Sequence, residues 1–224
     1  MRVMITLHHL ENSRSQRVLW LLEELGAEYE VKRYARDPET MLAPKSLKAV
    51  HPLGKSPVIT DGDATIAESG AIIEYLIEKY GNGRLIPKPG TPERLRYTYW
   101  LHFAEGSAMP QLLLKLILGE VKKKAPLLAR PIAKLIADGV ADAYTDPNIK
   151  AQIEFVESEL AKSTWFAGEE LTGADIQMSF PIEGAAGYME LPKRMRAFLD
   201  RVHARPAYKK ALERGGPFEL GKRG

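Results

Sequence analysis

Pro87, Pro89 and Pro92 stand within six positions of one another in "GRLIPKPGTPER", and the hydrophobic patterns on the two sides of them differ in kind. Each proline fixes a backbone angle and removes a donor, which suits a semi-rigid linker over residues 83–91. On the N-terminal side, residues 1–82 mix strand and helix signals. On the C-terminal side, residues 92–224 carry helical spacing alone. A length of 224 residues with 45% hydrophobic content accommodates two such units, each with a core.

In the first unit, the β-branched run from Arg2 to Leu7 predicts a buried strand. "NSRSQRVLWLLEELG" predicts a helix, capped by Asn12 or Ser13, with Ser13 and Gln16 at capping-box spacing and Gly26 as the stop. Tyr29 to Tyr34 alternates as a second strand, and the helix between the two is long enough for a parallel crossover. After an irregular stretch to about Leu53, Val58–Thr60 and Ala64–Ala67 read as an antiparallel pair about the turn signal Asp61-Gly62. A helix opens at Glu68 or Ser69 and ends at Gly81. Beyond the linker, helices are expected from Pro92 to about Leu118, Pro131 to Tyr144, Asn148 to Leu160, Gly173 to about Gly187, Pro192 to His203 and Pro206 to Arg214. In "LTGADIQMSFPI", Thr172 and Asp175 have capping-box spacing with Leu171 and Ile176 at the staple positions, ahead of a nearly uncharged helix suited to the bundle centre. The fold class is α/β followed by all-α.

Composition narrows the function. The chain contains no cysteine, which excludes disulfides, thiolate metal sites and a protein-borne sulfur nucleophile. A net charge of +3 is too weak for general attraction to nucleic acid or membranes, and Lys122-Lys123-Lys124 reads as a solvated helix face. No apolar run reaches the length of a membrane span, and "MRVMITLHHL" is a poor signal peptide, so a cytoplasmic protein is expected. The five histidines form no ligand cluster in sequence, and no metal is expected. Phosphate-loop, dinucleotide and nucleophile-elbow motifs are missing from the sequence.

Three local features point to one small ligand. Ser13 lies at a helix start after a strand, where free N–H groups and the helix dipole favour an anion. Pro57 in "LGKSPV" precedes a strand; a cis bond there turns the Ser56 backbone outward as a pairing edge. Glu68 and Ser69 in "AESG" open a further helix, Ser69 suiting a carboxylate and Glu68 an ammonium, the two charges of an α-amino acid end. Each also has a purely structural reading, as a cap, a trans loop proline and a first helical turn.

With "HPLGKSP" (51–57), "AESG" (67–70), "EGS" (105–107) and "TGADIQMSFP" (172–181), the chain resembles cytosolic-type glutathione S-transferases over nearly its whole length, and most of all a fungal and bacterial serine-type branch. The resemblance implies a thioredoxin-like domain followed by a helical bundle, usually in a homodimer. It implies that Ser56 and Val58, about a cis-Pro57, pair with the cysteinyl unit of glutathione. Glu68 and Ser69 would hold the γ-glutamyl group, with Lys55 and His51 as further contacts. Ser13, four residues before Arg17, is the implied thiol partner, with Ser15 and Asn12 as rivals; Arg14 and Arg17 read as exposed ion-pair partners, with added positive potential at the site as the alternative. A hydrophobic second substrate would lie against "YTYWLHFAEGSAMP", where Tyr99, His102, Phe103 and Gly106 share a helical stripe and Glu105 lies off it. Glutathione is then a co-substrate, with no further cofactor. The expected activity is conjugation to small hydrophobic electrophiles. Glutathione-dependent peroxide or disulfide reduction, and a non-catalytic glutathione-binding module, are the alternatives.

Overall fold

The computed structural model describes residues 4–40, 42–216, 218 and 220. Strands β1 (Ile5–Leu10) and β2 (Tyr29–Tyr34) run parallel, joined by helix α1 (Ser15–Leu25), the crossover that parallel neighbours require. β3 (Val58–Asp61) lies antiparallel to β1, and β4 (Ala64–Ala67) antiparallel to β3, giving the order β2-β1-β3-β4. Helix α3 (Ser69–Tyr80) comes directly after β4.

The first strand starts and ends later than its apolar run predicts, and Arg2 and Val3 lie outside the described residues. Two buried histidines complete it. His8 and His9 fit inside a sheet because each ring finds a partner: His8 Nδ1 lies 2.9 Å from the Tyr34 hydroxyl and His9 Nε2 lies 3.0 Å from the Gly215 carbonyl. A short helix, α2 (Lys45–Lys48), occupies part of the stretch read as irregular. Its one buried side chain, Leu47, packs with Leu10 and Tyr34, and four residues are too few to show a period.

Helix α1 is buried along its whole first two turns, from Ser15 to Leu22. The last helix, α10, is one reason. The second unit contains α4 (Pro92–Phe103), α5 (Met109–Lys124), α6 (Arg130–Val140), α7 (Asp146–Glu159), α8 (Gly173–Ala186), α9 (Lys193–Ala204) and α10 (Pro206–Gly215). α10 returns to the first unit and packs on α1. A Cβ at Gly215 would stand 2.5 Å from Leu19 Cδ1 and 2.7 Å from Gln16 Oε1, so a side chain there would have to push the ends of both aside. Gln16 is therefore turned into the α1–α10 contact. The capping box expected from Ser13 and Gln16 does not form; Ser13 Oγ instead accepts from the Ser15 N–H at 3.2 Å.

The helix expected from Pro92 to about Leu118 is interrupted by a π-helical segment, Ala104–Ala108, between α4 and α5, and a second one, Ala141–Thr145, joins α6 to α7 where two separate helices were expected. α8 runs through the centre, almost every residue buried. The Thr172–Asp175 capping box is present. Asp175 accepts from the Thr172 N–H and hydroxyl, both at 2.8 Å, and from the Phe166 N–H at 2.7 Å. The proline-rich connection is itself fastened, since Gly173 N–H donates to the Leu85 carbonyl at 2.9 Å. Apolar residues of both units, including Leu22, Ile73, Trp100 and Phe198, belong to one continuous core. Among the described residues, no helix is long and apolar enough to cross a membrane.

Candidate functional site

The loop between β1 and α1 carries Ser13, buried at the helix mouth. Its hydroxyl lies 2.8 Å from Ser15 Oγ and 3.5 Å from Ser56 Oγ. Ser56 precedes Pro57 through a cis peptide bond, as the pairing-edge reading required. Ser56 Oγ is itself held by β1: it donates to the His8 carbonyl at 3.0 Å and accepts from Leu10 N–H at 3.3 Å. The helix mouth and the cis-proline edge, 43 residues apart in sequence, thus meet at one point.

The direction of the protons around Ser13 is set by its partners. The Gly215 carbonyl only accepts, so His9 Nε2 carries the hydrogen. Burial lowers the His9 pKa to about 4, with Arg33 adding to the effect against the Gly215 bond, so the ring is neutral near pH 7. Nδ1 is then a lone pair, and Ser15 Oγ, 2.8 Å away, donates to it. Ser15 has spent its only proton, so its oxygen accepts from Ser13. A buried chain runs Ser13 to Ser15 to His9 to the end of α10.

This chain sets a pH dependence. The folded-state pKa of His9 is depressed, so its contribution is fully present above the unfolded value of about 6.5 and is lost as pH falls toward 4. Relative to a His9→Gln variant, the native chain is expected to lose about 2 kcal/mol more unfolding free energy between pH 7 and pH 5. Urea titrations at the two pH values measure it; parallel curves for the two proteins would assign the titration elsewhere.

The start of α3 forms the second part. Glu68 adopts a positive φ of 71°, a conformation that costs a non-glycine residue energy and is held by its surroundings. Its side chain is exposed, while Ser69 is buried. Ser69 Oγ accepts from Arg17 Nη2 at 3.0 Å and from Gln177 Nε2 at 3.3 Å. With both lone pairs engaged, the hydroxyl keeps its proton to donate, which suits a carboxylate acceptor.

Arg17 corrects the sequence reading. It is not an exposed ion-pair partner but one of the largest fully buried side chains, because the face of α1 that carries it is closed by α8. It donates to the Gln177 carbonyl at 2.7 Å, to Ser69, and to Glu105 in a very short ion pair. Arg14, which is partly exposed, also grips Glu105, through Nε at 2.9 and 3.0 Å. Burial lowers the Arg17 pKa to about 10, with Glu105 opposing the fall. Burial alone raises the Glu105 carboxyl, but Arg17 and Arg14 outweigh it and leave it below its ordinary value. The guanidiniums of Arg14 and Arg17 also lie over the Phe180 ring, at 5.2 and 5.0 Å.

Other expected residues fall in different places. Val58 lies between β1 and β4, paired with His8 and Ala67, so its backbone belongs to the sheet and the free edge is that of Ser56. Lys55 is exposed beside that edge, and His51 is half-buried at the turn before it. Among the described residues, His51 Nδ1 is sealed from solvent without a hydrogen-bond partner. Asn12 is exposed in a turn with φ 48°. Tyr99, His102 and Phe103 keep their helical spacing on α4, and the π segment at Ala104–Ala108 sets in before Gly106. Tyr99 stacks on Phe103 and meets Phe155, and His102 is exposed, whereas Glu105, off the stripe, faces α1. A small apolar cavity of about 30 Å³ lies between Phe103, Leu112, Ile153, Met178 and Ile182 and includes none of Tyr99, His102 and Glu105. Gln177 went unnoticed in the sequence, since an amide inside an uncharged helix reads as core. Among the described residues, no group of histidine and carboxylate side chains is placed to hold a metal ion.

A mixed four-stranded sheet with a cis-proline edge, a serine at the first helix mouth and a helical bundle clamped onto that helix define a thioredoxin-like, two-domain architecture of the glutathione-transferase kind. The family models for the N-terminal and C-terminal domains of glutathione S-transferase match residues 2–78 and 140–206. Glutathione S-transferase 3 of Schizosaccharomyces pombe is 36% identical over 214 residues, covering 92% of this chain and 88% of that protein. Glutathione S-transferase 1 of Saccharomyces cerevisiae is 36% identical over 189 residues, covering 81% and 80%. A crystal structure of a glutathione S-transferase from Actinobacillus pleuropneumoniae superposes with a TM-score of 0.80 at 36% identity, covering 99% of this chain and 97% of that one. The chain belongs to the glutathione S-transferase family.

Proposed function

We propose that the enzyme joins the thiolate of glutathione to small hydrophobic electrophiles, with Ser13 turning its one hydroxyl hydrogen from Ser15 to the sulfur when the tripeptide binds. The observation that carries this reading is the 3.5 Å approach of Ser13 Oγ to Ser56 Oγ at the cis-Pro57 edge. An extended cysteinyl backbone pairing with Ser56 brings its short side chain toward the mouth of α1. The glutamyl end would reach the start of α3, its carboxylate taking the Ser69 hydrogen and its ammonium facing Glu68. Lys55 and His51 flank the glycyl end.

A serine hydroxyl is too weak a base to remove a thiol proton. It stabilises the thiolate once formed, and the free N–H groups of α1 add to the effect. The thiol proton leaves to solvent. The sulfur lone pair then forms the carbon–sulfur bond, and the leaving group departs with its electron pair or the acceptor double bond takes up a proton. The protein supplies no cysteine sulfur of its own. We place the enzyme in the cytoplasm, with its reduced glutathione pool. We also propose a homodimer, residues 1–82 of one chain meeting residues 92–224 of the other. Exposed Leu53 on the first unit and exposed Leu95 and Tyr99 on the second are apolar surfaces suited to that contact.

Steady-state turnover of a model aryl halide and of an organic hydroperoxide, each with glutathione, tests the assignment. Conjugation at rates well above solution supports the reading. Peroxide turnover without conjugation replaces it with reduction, and retention on immobilised glutathione without either activity replaces it with a binding module.

A further inference from the structure

Ten of the seventeen exposed large apolar side chains among the described residues lie between positions 113 and 144, on α5, α6, the turn that joins them and the π segment after α6. The turn holds the two most exposed, Leu127 at 79% and Leu128 at 97%. Ile132, Leu135 and Ile136 lie on α6 at i, i+3 and i+4 spacing, all exposed, and Ala137 is the only fully buried residue of that helix. α6 is thus amphipathic with its apolar side turned outward, the reverse of what a core-packed helix does. Single exposed leucines need no explanation; a contiguous group of five does.

The charge on the same tip has one sign. Lys122, Lys123, Lys124, Arg130 and Lys134 lie between Glu120 and Asp138, and no acidic residue stands among them. Two of the lysines are satisfied at the base, Lys122 by Asp138 and Lys124 by Glu120. Counting those two acids, the tip still carries the same net charge, +3, as the whole chain. The sequence reading of Lys122-Lys123-Lys124 as a plain solvated face missed the apolar residues that folding sets beside it.

We propose that this tip docks on an anionic lipid bilayer. Leucine and isoleucine side chains at a protruding turn enter the boundary between headgroups and acyl chains, while flanking lysines and arginine meet lipid phosphates and carboxylates. A second copy of the chain fits less well. A twofold contact of tip on tip brings two patches of the same net charge together, and the two acids of each, Glu120 and Asp138, are already paired with its own lysines. The surface uses none of the residues assigned to glutathione, so it stands or falls separately from that assignment.

The test is co-sedimentation of the full chain with vesicles of phosphatidylcholine containing phosphatidylserine, beside vesicles of phosphatidylcholine alone. Variants L127E/L128E and K123Q/K124Q change fully or largely exposed positions. The native chain is expected to pellet with the anionic vesicles and to be released by high salt. Each double variant is expected to weaken binding by about tenfold or more, with conjugation of a soluble electrophile unchanged. Three results overturn the proposal. The native chain stays in the supernatant with anionic vesicles; L127E/L128E binds them as well as the native chain does; or L127E/L128E reduces the oligomeric state in solution, which gives the face to a second copy.

Discussion

Ser13→Ala is expected to lower kcat for conjugation by about 10²-fold or more, the usual cost of removing one hydrogen-bond donor from a developing or resident anion in a closed site. KM for glutathione is expected to move little, because Ser56, Glu68 and Ser69 hold the rest of the tripeptide in this reading. The effect rests on geometry. Ser13 Oγ is the member of the buried hydroxyl chain that also lies near the cis-proline edge, whereas Ser15 is fully buried behind it and bonded to His9. Ser15→Ala therefore perturbs how Ser13 is held, not what touches sulfur, and a loss of about tenfold or less is expected. Steady-state kinetics on the two variants decide between the hydroxyls. A larger loss in Ser15→Ala would give the role to Ser15.

Glu105→Ala is expected to cost about 3–5 kcal/mol of stability, because it leaves the Arg17 guanidinium buried without its counter-charge. The same change loosens Ser69, one of whose two donors is Arg17, and so raises KM for glutathione. These consequences separate in the double variant R17M/E105M. Replacing a buried ion pair by apolar side chains of similar size often restores stability, so the double variant is expected to regain most of the loss on urea unfolding. It does not regain the hydrogen bond to Ser69, so KM stays high. Recovery of both properties together would show that Arg17 serves the fold alone.

The element order was legible because its signals are local. Tyr29–Tyr34 has the bounds its alternation predicts, Ala64–Ala67 those that the turn signal at Asp61-Gly62 predicts, and Gly26 stops α1 with a left-handed φ of 66°. The Thr172–Asp175 box was legible for the same reason: spacing alone fixes its geometry. What the sequence hid depends on distant chain. Arg17 looks like a surface charge until α8, 160 residues later, closes over it. The same holds for His9, whose partner Gly215 is 206 residues away, and for Gln16, which α10 diverts from the helix cap. The π segment at Ala104–Ala108 was hidden as well, since no residue type announces one. The helix starts of α1 and α3 were each visible singly, and the cis bond at Pro57 only through the family resemblance; that Ser13 and Ser56 stand side by side was visible only in the fold.

The thiolate absorbance of enzyme-bound glutathione, monitored from pH 5 to 10, probes the sulfur itself. A free thiol ionises with a pKa of about 8.5; on the native enzyme the midpoint is expected about one to two units lower, returning toward the free value in Ser13→Ala. A native midpoint no lower than that of the free tripeptide would contradict the claim that this protein works by binding and ionising a thiol it does not itself possess.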